Sequence, residues 1–253
     1  MTAGRKAIGR SKAAEAAAFG YRPLYRQVKD VLLKRLGDGT WQPGQLLPSE
    51  PELAQDLGVS QGTVRKALDE MTAENLLVRR QGRGTFVARH DEERILFQFF
   101  RIVPDEGTRR FPESRIIEVR AAKADLTAAE RLGLRQGASV VTIERVRSID
   151  EVPCIHERIV LPSALFPKIE KRASLPNNLY ELYASAYGVT IARASEQIKA
   201  VAAEPRQADL IDVAAGQPLL AIDRVALALD GTRAEWRLSL CRTDRFHYLN
   251  DLR

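Results

Sequence analysis

Cysteine is nearly absent from this chain of 253 residues: Cys154 and Cys241 stand far apart, and no CxxC spacing occurs. That excludes a disulfide framework and a cysteine-based zinc site. Histidine is almost as sparse. His90, His156 and His247 share no HExxH or related ligand spacing, so neither a metal nor a cofactor is expected. No apolar run approaches the roughly 18 residues that cross a bilayer, so no membrane partner is expected. The first stretch, MTAGRKAIGRSKAAEAAAFG, has basic residues but no apolar segment followed by a cleavage site. It reads as a flexible basic arm, residues 1–20, of a cytoplasmic protein. Catalytic signatures are missing as well: there is no GxSxG and no catalytic Cys/His signature, and Gly82-Arg83-Gly84 lacks the third glycine and following helix of a dinucleotide loop. No catalytic residue is assigned.

What is present is ordinary in kind, 45% hydrophobic and 28% charged, but uneven in placement. Residues 1–90 hold 15 Lys and Arg against 9 Asp and Glu, whereas the other 163 residues hold 24 of each. The whole net charge of +6 therefore sits in the first third. Such an asymmetry points to a polyanion partner for that part alone.

Residues 23–36, PLYRQVKDVLLKRL, place Leu24, Val28, Val31, Leu32 and Leu36 on one stripe and predict an amphipathic helix. Ser49-Glu50-Pro51-Glu52 then forms a capping box for a second helix, with Leu53 and Leu57 inward and an end at Gly58. After the turn Gly58-Val59-Ser60, the stretch QGTVRKALDEM predicts a third helix with Val64, Leu68 and Met71 buried. Two helices around a glycine turn are a helix-turn-helix. LLVRR-QGRG-TFVAR adds a basic hairpin carrying Arg79, Arg80, Arg83 and Arg89, which completes a winged helix over residues 21–90. A recognition helix meets the major groove with its first residues. There Gln61 suits adenine and Arg65 guanine, Gly62 permits approach, Thr63 and Ser60 suit phosphate oxygens, and Lys66 adds charge. The competing reading is a solvated helix face beside an ordinary hairpin.

LPSEPELAQDLGVSQGTVRKALDEMTAENLLVRRQGRGTFV, residues 47–87, resembles the winged-helix signature of the GntR family of bacterial transcription regulators. The resemblance implies a double-stranded DNA operator as partner, with contacts at Thr63, Arg65 and the wing around Arg83 and Gly84. With Ser49, Ser60, Gln61, Gly62, Lys66 and Arg80, these form the candidate DNA-binding set. Pro51 and Gln61 stand where many members have arginine, so the operator sequence stays open.

A charged connector, residues 91–112, carries the apolar ILFQFF, which is expected to be buried against the second domain. Residues 113–253 alternate long strands with short helices, and turns at Asp150-Glu151 and Asp230-Gly231 predict an antiparallel sheet, hence an α+β fold. A faint repeat runs at an offset of 79 residues, aligning Gly137 with Gly216, Ile143 with Ile222, Arg145 with Arg224 and Val146 with Val225. Two copies of a helix-plus-hairpin unit predict a pseudo-symmetric domain. Arg145 and Arg147 lie two apart on one strand and so share a face, opposite Ile155, Glu157 and Ile159. Either they clamp a carboxylate or phosphate, or they pair with Glu157 and satisfy themselves.

ERVR with Asp150 and Pro153, HER at 156–158, NLYELYASAYG, SEQIKAV with Glu196, and RTDRFHY together resemble the UTRA ligand-sensing domain of the HutC subfamily. That domain has a chorismate-lyase-like fold. The resemblance implies a small-molecule anionic effector, a carboxylate or a sugar phosphate, held by Arg145, Arg147, Glu157, Tyr180 and Glu235, with Asn178 and Glu196 completing the candidate set. The expected protein is an effector-responsive homodimeric repressor. The alternatives are a lyase-like enzyme fused to a DNA-binding module and an architectural DNA binder.

Overall fold

The computed structural model of the protein describes residues 22–88 and 99–250. The basic arm over residues 1–20, Arg89, His90 and the ILFQ part of the connector lie outside the described residues. The N-terminal unit comprises α1 (Leu24–Gly37), α2 (Glu50–Leu57), α3 (Gln61–Ala73) and a hairpin of β1 (Leu77–Arg80) and β2 (Gly84–Val87). Its core joins Val28 and Leu32 of α1 to Leu53, Val64, Leu68, Met71, Leu77 and Trp41. The apolar stripe of α1 is narrower than its pattern suggests, since Leu24 and Val31 are 44% and 41% exposed. At about 100° per residue both fall to one side of the arc that Val28, Leu32 and Leu36 turn toward α3. The capping box forms as expected: Ser49 Oγ accepts from the Glu52 N–H, and the Glu52 carboxylate accepts from the Ser49 N–H. Gly58 ends α2 with a left-handed φ of 63°, open to glycine without strain. The wing loop has three residues rather than four, because Gly84 already pairs with Arg80.

The C-terminal unit is a six-stranded antiparallel sheet in the order β4-β5-β6-β9-β8-β7. These strands are β4 (Glu113–Lys123), β5 (Ser139–Ile149), β6 (Val152–Pro162), β7 (Ile191–Ala202), β8 (Pro218–Ala228) and β9 (Arg233–Arg242). Short helices α4 (Leu126–Leu132) and α6 (Pro205–Ile211) follow β4 and β7, and α5 (Leu179–Tyr187) precedes β7. The repeat is thus larger than a helix plus hairpin: each copy is β-α-β-β, and the copies meet where β6 pairs with β9. They also interlock. Arg131 of α4 bonds Asp223 of β8 at 2.7 Å, while Arg206 of α6 grips Glu144 of β5 at 2.5 and 2.8 Å. Those two carboxylates are repeat partners, and each also meets a ring nitrogen, Trp236 at 2.9 Å and His156 at 2.7 Å. Each copy's helix is therefore fixed to the other copy's strand.

α4 and α6 cover one face of the sheet with cores around Val140, Val160, Val146 and Leu240. The other face packs Ile143, Ile159 and Leu161 against Tyr180 and Tyr183 of α5. One strand was not expected: β3 (Ile102–Pro104), inside the connector, pairs with β10 (Phe246–Tyr248) near the end of the chain. Between β9 and β10 the chain turns, with Arg242 holding Asp244 at 2.6 Å.

The β5–β6 turn places Asp150 and Glu151 both at positive φ, 49° and 64°. A side chain in the left-handed region costs roughly 1–2 kcal/mol, which glycine avoids. Glu151→Gly should therefore stabilise the protein by about 1 kcal/mol, read as a higher urea midpoint at unchanged slope.

Candidate effector pocket and nucleic-acid interface

Because α3 buries Val64, Ala67, Leu68 and Met71, its opposite face presents Gln61, Gly62 and Arg65 to solvent. Ser60 caps the helix, its Oγ accepting from the Thr63 N–H at 3.2 Å and lying 2.8 Å from Thr63 Oγ1. Lys66 turns toward α1, with Nζ 4.2 Å from the Tyr25 ring centre. In the wing, Arg80 stacks on Phe86 at 5.0 Å and Arg83 is exposed in the tip loop. Two candidates have evident structural duties. The Ser49 hydroxyl serves the capping box, donating to Glu52 at 2.7 Å. Gly84 has φ of 102°, and a Cβ there would lie 2.7 Å from Leu46 Cδ1. No helix among the described residues is long and apolar enough to cross a membrane.

The second site lies on the α5 face of the sheet. Arg145 and Arg147 point into it from β5, as their spacing requires, and β6 brings Glu157 directly opposite Arg145. Arg145 Nε donates to Glu157 at 2.5 Å and Nη1 to the Asn177 carbonyl at 3.1 Å. Arg237 of β9 reaches Glu157 at 3.4 Å and Glu235 at 2.8 Å. Glu235 also accepts from the hydroxyls of Tyr180 and Tyr183, at 3.1 and 2.8 Å. Arg224, the repeat partner of Arg145, pairs with Glu196 at 2.5 Å, and Glu196 also accepts from Tyr248. Burial works to raise the Glu157 carboxyl, but the guanidiniums of Arg145, Arg237 and Arg147 overcome it and hold it below the usual carboxylate range. Burial and the neighbouring Glu235 push the Tyr180 hydroxyl up to about 12, so it stays protonated and donates.

Arg147 differs from the other three arginines. Among the described residues no carboxylate pairs with it. Nη2 donates to the Pro112 carbonyl at 3.1 Å and to Asn177 Oδ1 at 3.3 Å, while Nε is buried without a partner. The rings of Phe100 and Phe111 take its faces at 5.2 and 5.0 Å. Burial and the neighbouring Arg145 push its pKa well below the ordinary arginine value. Arg145, Arg147, Glu157, Asn178 and Tyr180 line one cavity of about 30 Å³ together with Phe99, Phe100 and Phe111. Glu235 lies behind Tyr180 and Arg237. Glu196 lines a neighbouring cleft, which it shares with Arg224, Arg101 and Tyr248. Asn178 caps α5, its Oδ1 accepting from the Glu181 N–H at 3.2 Å.

Residue patterns alone did not single out Arg237, Asn177 or the Phe99-Phe100 cover. The alternation of Glu235, Arg237 and Ser239 along β9 was the available signal for the first; the other two depend on contacts distant in sequence. Among the described residues no group of three or more His, Cys, Asp and Glu could hold a metal.

Arg145→Ala should destabilise the protein by about 3–5 kcal/mol, because it removes a buried partner of Glu157. Arg147→Met, which deletes a buried charge lacking a carboxylate, should be neutral or stabilising in the same urea titration.

The UTRA domain family matches residues 108–247, and the family described as bacterial regulatory proteins, gntR family, matches residues 24–87. The HTH-type transcriptional repressor NagR of Bacillus subtilis (strain 168) is 31% identical over 234 residues, 91% of this chain and 96% of its own. The histidine utilization repressor of Pseudomonas putida is 32% identical over 206 residues, 81% of this chain and 82% of its own. PhnF from Mycobacterium smegmatis, a solved structure, aligns at a TM-score of 0.54 with 27% identity, covering 89% of this chain and 99% of that one. The ligand-binding domain assigned to a GntR-family regulator of Bordetella bronchiseptica aligns at 0.56 with 37% identity, over 62% of this chain and 99% of that one. The chain therefore belongs to the GntR family of bacterial regulatory proteins, in the HutC-type group that joins a winged helix-turn-helix to a UTRA domain, and it is a DNA-binding transcription regulator rather than an enzyme.

Proposed function

We propose that this regulator is a repressor that binds a two-fold-symmetric operator as a homodimer and is released by a small anionic metabolite, a carboxylate or a sugar phosphate. Two half-sites read by one protein require a two-fold assembly, and that requirement supports the dimer. In each winged helix the exposed Gln61 and Arg65 meet base edges, while Ser60, Thr63, Lys66, Arg80 and Arg83 meet the backbone. Arg65→Ala should weaken operator binding by about 1–3 kcal/mol, measured by gel shift at fixed salt. An unchanged affinity would remove Arg65 from the interface.

The single observation that carries the effector reading is the buried Nε edge of Arg147, without a partner and flanked by ring faces. Arg145, Arg224 and Arg237 share three carboxylates, Glu157, Glu196 and Glu235, and leave Arg147 as surplus positive charge. An anion bound edge-on would gain a charge-assisted pair at a buried guanidinium edge. Arg145 already has Glu157, so it supports the ligand from the side rather than holding its charge. A cavity of about 30 Å³ admits little more than a water. Entry of a metabolite therefore displaces Phe99 and Phe100, which lie within the connector from the DNA-binding unit. Their movement passes occupancy of the pocket to the winged helix, and the effector acts only by binding the two placements with different affinity.

A thermal-shift screen of small carboxylates and sugar phosphates should find an anion that raises the melting temperature of the wild type and not of Arg147→Met. That variant should still bind DNA but no longer be released by the anion. An Arg147→Met protein that responds at the wild-type concentration would sink the assignment.

A further inference from the structure

A carboxylate stands in the middle of the surface that has to meet a polyanion. Glu50, the first residue of α2, has a side chain only 20% exposed. Its Oε2 accepts from Arg65 Nε at 2.9 Å and from Gln61 Nε2 at 3.4 Å. Its Oε1 accepts from Arg79 Nη2, in the wing strand β1, at 3.2 Å. Capping of α2 does not call for it, since Ser49 and Glu52 make the capping box. Facing DNA, a negative charge repels phosphate, so what Glu50 holds has to account for its place.

The chemistry of the three donors does so. An ionised carboxylate only accepts hydrogen bonds. It therefore fixes the Gln61 amide with Nε2 turned inward and Oε1 outward. Gln61 then offers an acceptor to an exocyclic amino group while keeping one amide hydrogen for a neighbouring ring nitrogen. By engaging Nε of Arg65, the same carboxylate leaves the terminal Nη1/Nη2 fork unengaged, the edge that addresses guanine O6 and N7. Arg79 ties this arrangement to the wing.

We infer that Glu50 is a positioning residue for operator specificity: it orients Gln61 and Arg65 for base reading and, at some cost in general DNA affinity, restrains them from phosphate. This rests on the proposal that Gln61 and Arg65 meet base edges. The test lets the full-length protein select duplexes from a random library. Affinities for the selected duplex and a scrambled one are then measured by fluorescence anisotropy across a salt series. Glu50→Ala should narrow the selected-to-scrambled ratio by about tenfold, the scale of one good base contact. Scrambled binding should hold or tighten, and the salt slope should steepen by about one phosphate contact. Added to Arg65→Ala, it should change the ratio by less than about twofold, because the two act as one unit. Glu50→Gln, which keeps the shape but frees the amide orientation of Gln61, should fall between wild type and Glu50→Ala.

A ratio within about twofold of wild type in Glu50→Ala, or effects that multiply independently with Arg65→Ala, would overturn the inference. So would an equal loss on both duplexes with a lowered melting temperature, which marks a residue needed only for folding. If Arg65→Ala and Gln61→Ala leave the ratio unchanged, base reading itself fails. If they narrow it and Glu50→Ala does not, only the role of Glu50 fails.

Discussion

Surplus buried positive charge is the constraint around which the effector domain is arranged. Arg145, Arg147, Arg224 and Arg237 project from three strands onto one face of the sheet, where Glu157, Glu196 and Glu235 share them. Removing a guanidinium from water costs several kcal/mol unless its donors find partners. Three of the four find carboxylates. The fourth, Arg147, is tolerated because two carbonyl-type oxygens and two ring faces partly replace its hydration. Arginine suits this better than lysine, since its planar cation stacks on rings while its edge stays available. The surrounding groups deepen the bias. Tyr180 and Tyr183 donate to Glu235 and leave that carboxylate little capacity to approach Arg147.

The repeat explains how such a site arises from a fold with two equivalent halves. Both copies keep a carboxylate on the helix face, Glu144 and Asp223, each gripped by the other copy's helix. On the opposite face the copies diverge. Arg145 and Arg224 correspond, but the position after next is Arg147 in one copy and Ala226 in the other. The strand facing Arg145 supplies Glu157, whereas the strand facing Arg224 supplies Arg237. Both halves thus line the pocket, the first with Arg145, Arg147 and Glu157, the second with Arg224 and Arg237. Symmetry secures the scaffold; departures from it create the chemistry.

These relations were unequally legible in the sequence. The winged helix reads plainly because its cues are local: a capping box, Gly58 in the left-handed region, and a three-to-four residue apolar stripe on α3. The shared face of Arg145 and Arg147 follows from the two-residue period of a strand, and the tight turn at Asp150 and Glu151 sets Glu157 opposite. What the sequence concealed is nonlocal. Pairing of β3 with β10 joins segments more than a hundred residues apart, which no local pattern announces. Phe100 reads as buried, but nothing nearby in sequence says that its ring covers Arg147. Glu196 faces the adjoining cleft, where its partner is Arg224 rather than Arg145, a pairing across β7 and β8 that strand alternation alone does not give.

The two surfaces obey one electrostatic rule with opposite outcomes. In the pocket the Nε of Arg147 has no carboxylate partner among the described residues, and under our proposal an anion from outside pairs with it. On α3 the Glu50 carboxylate occupies the Nε of Arg65, and under our proposal the guanidinium keeps its other edge for a base and gives up part of its general attraction to phosphate. A regulator needs both, since indiscriminate affinity for DNA would hold it on the chromosome regardless of the effector. The coupling free energy that a small ligand supplies is commonly 1–3 kcal/mol, too little to break a contact made of many phosphate pairs. Under the proposed function, restraining charge at the DNA surface while leaving Arg147 without a carboxylate in the pocket would keep release from DNA within reach of effector binding.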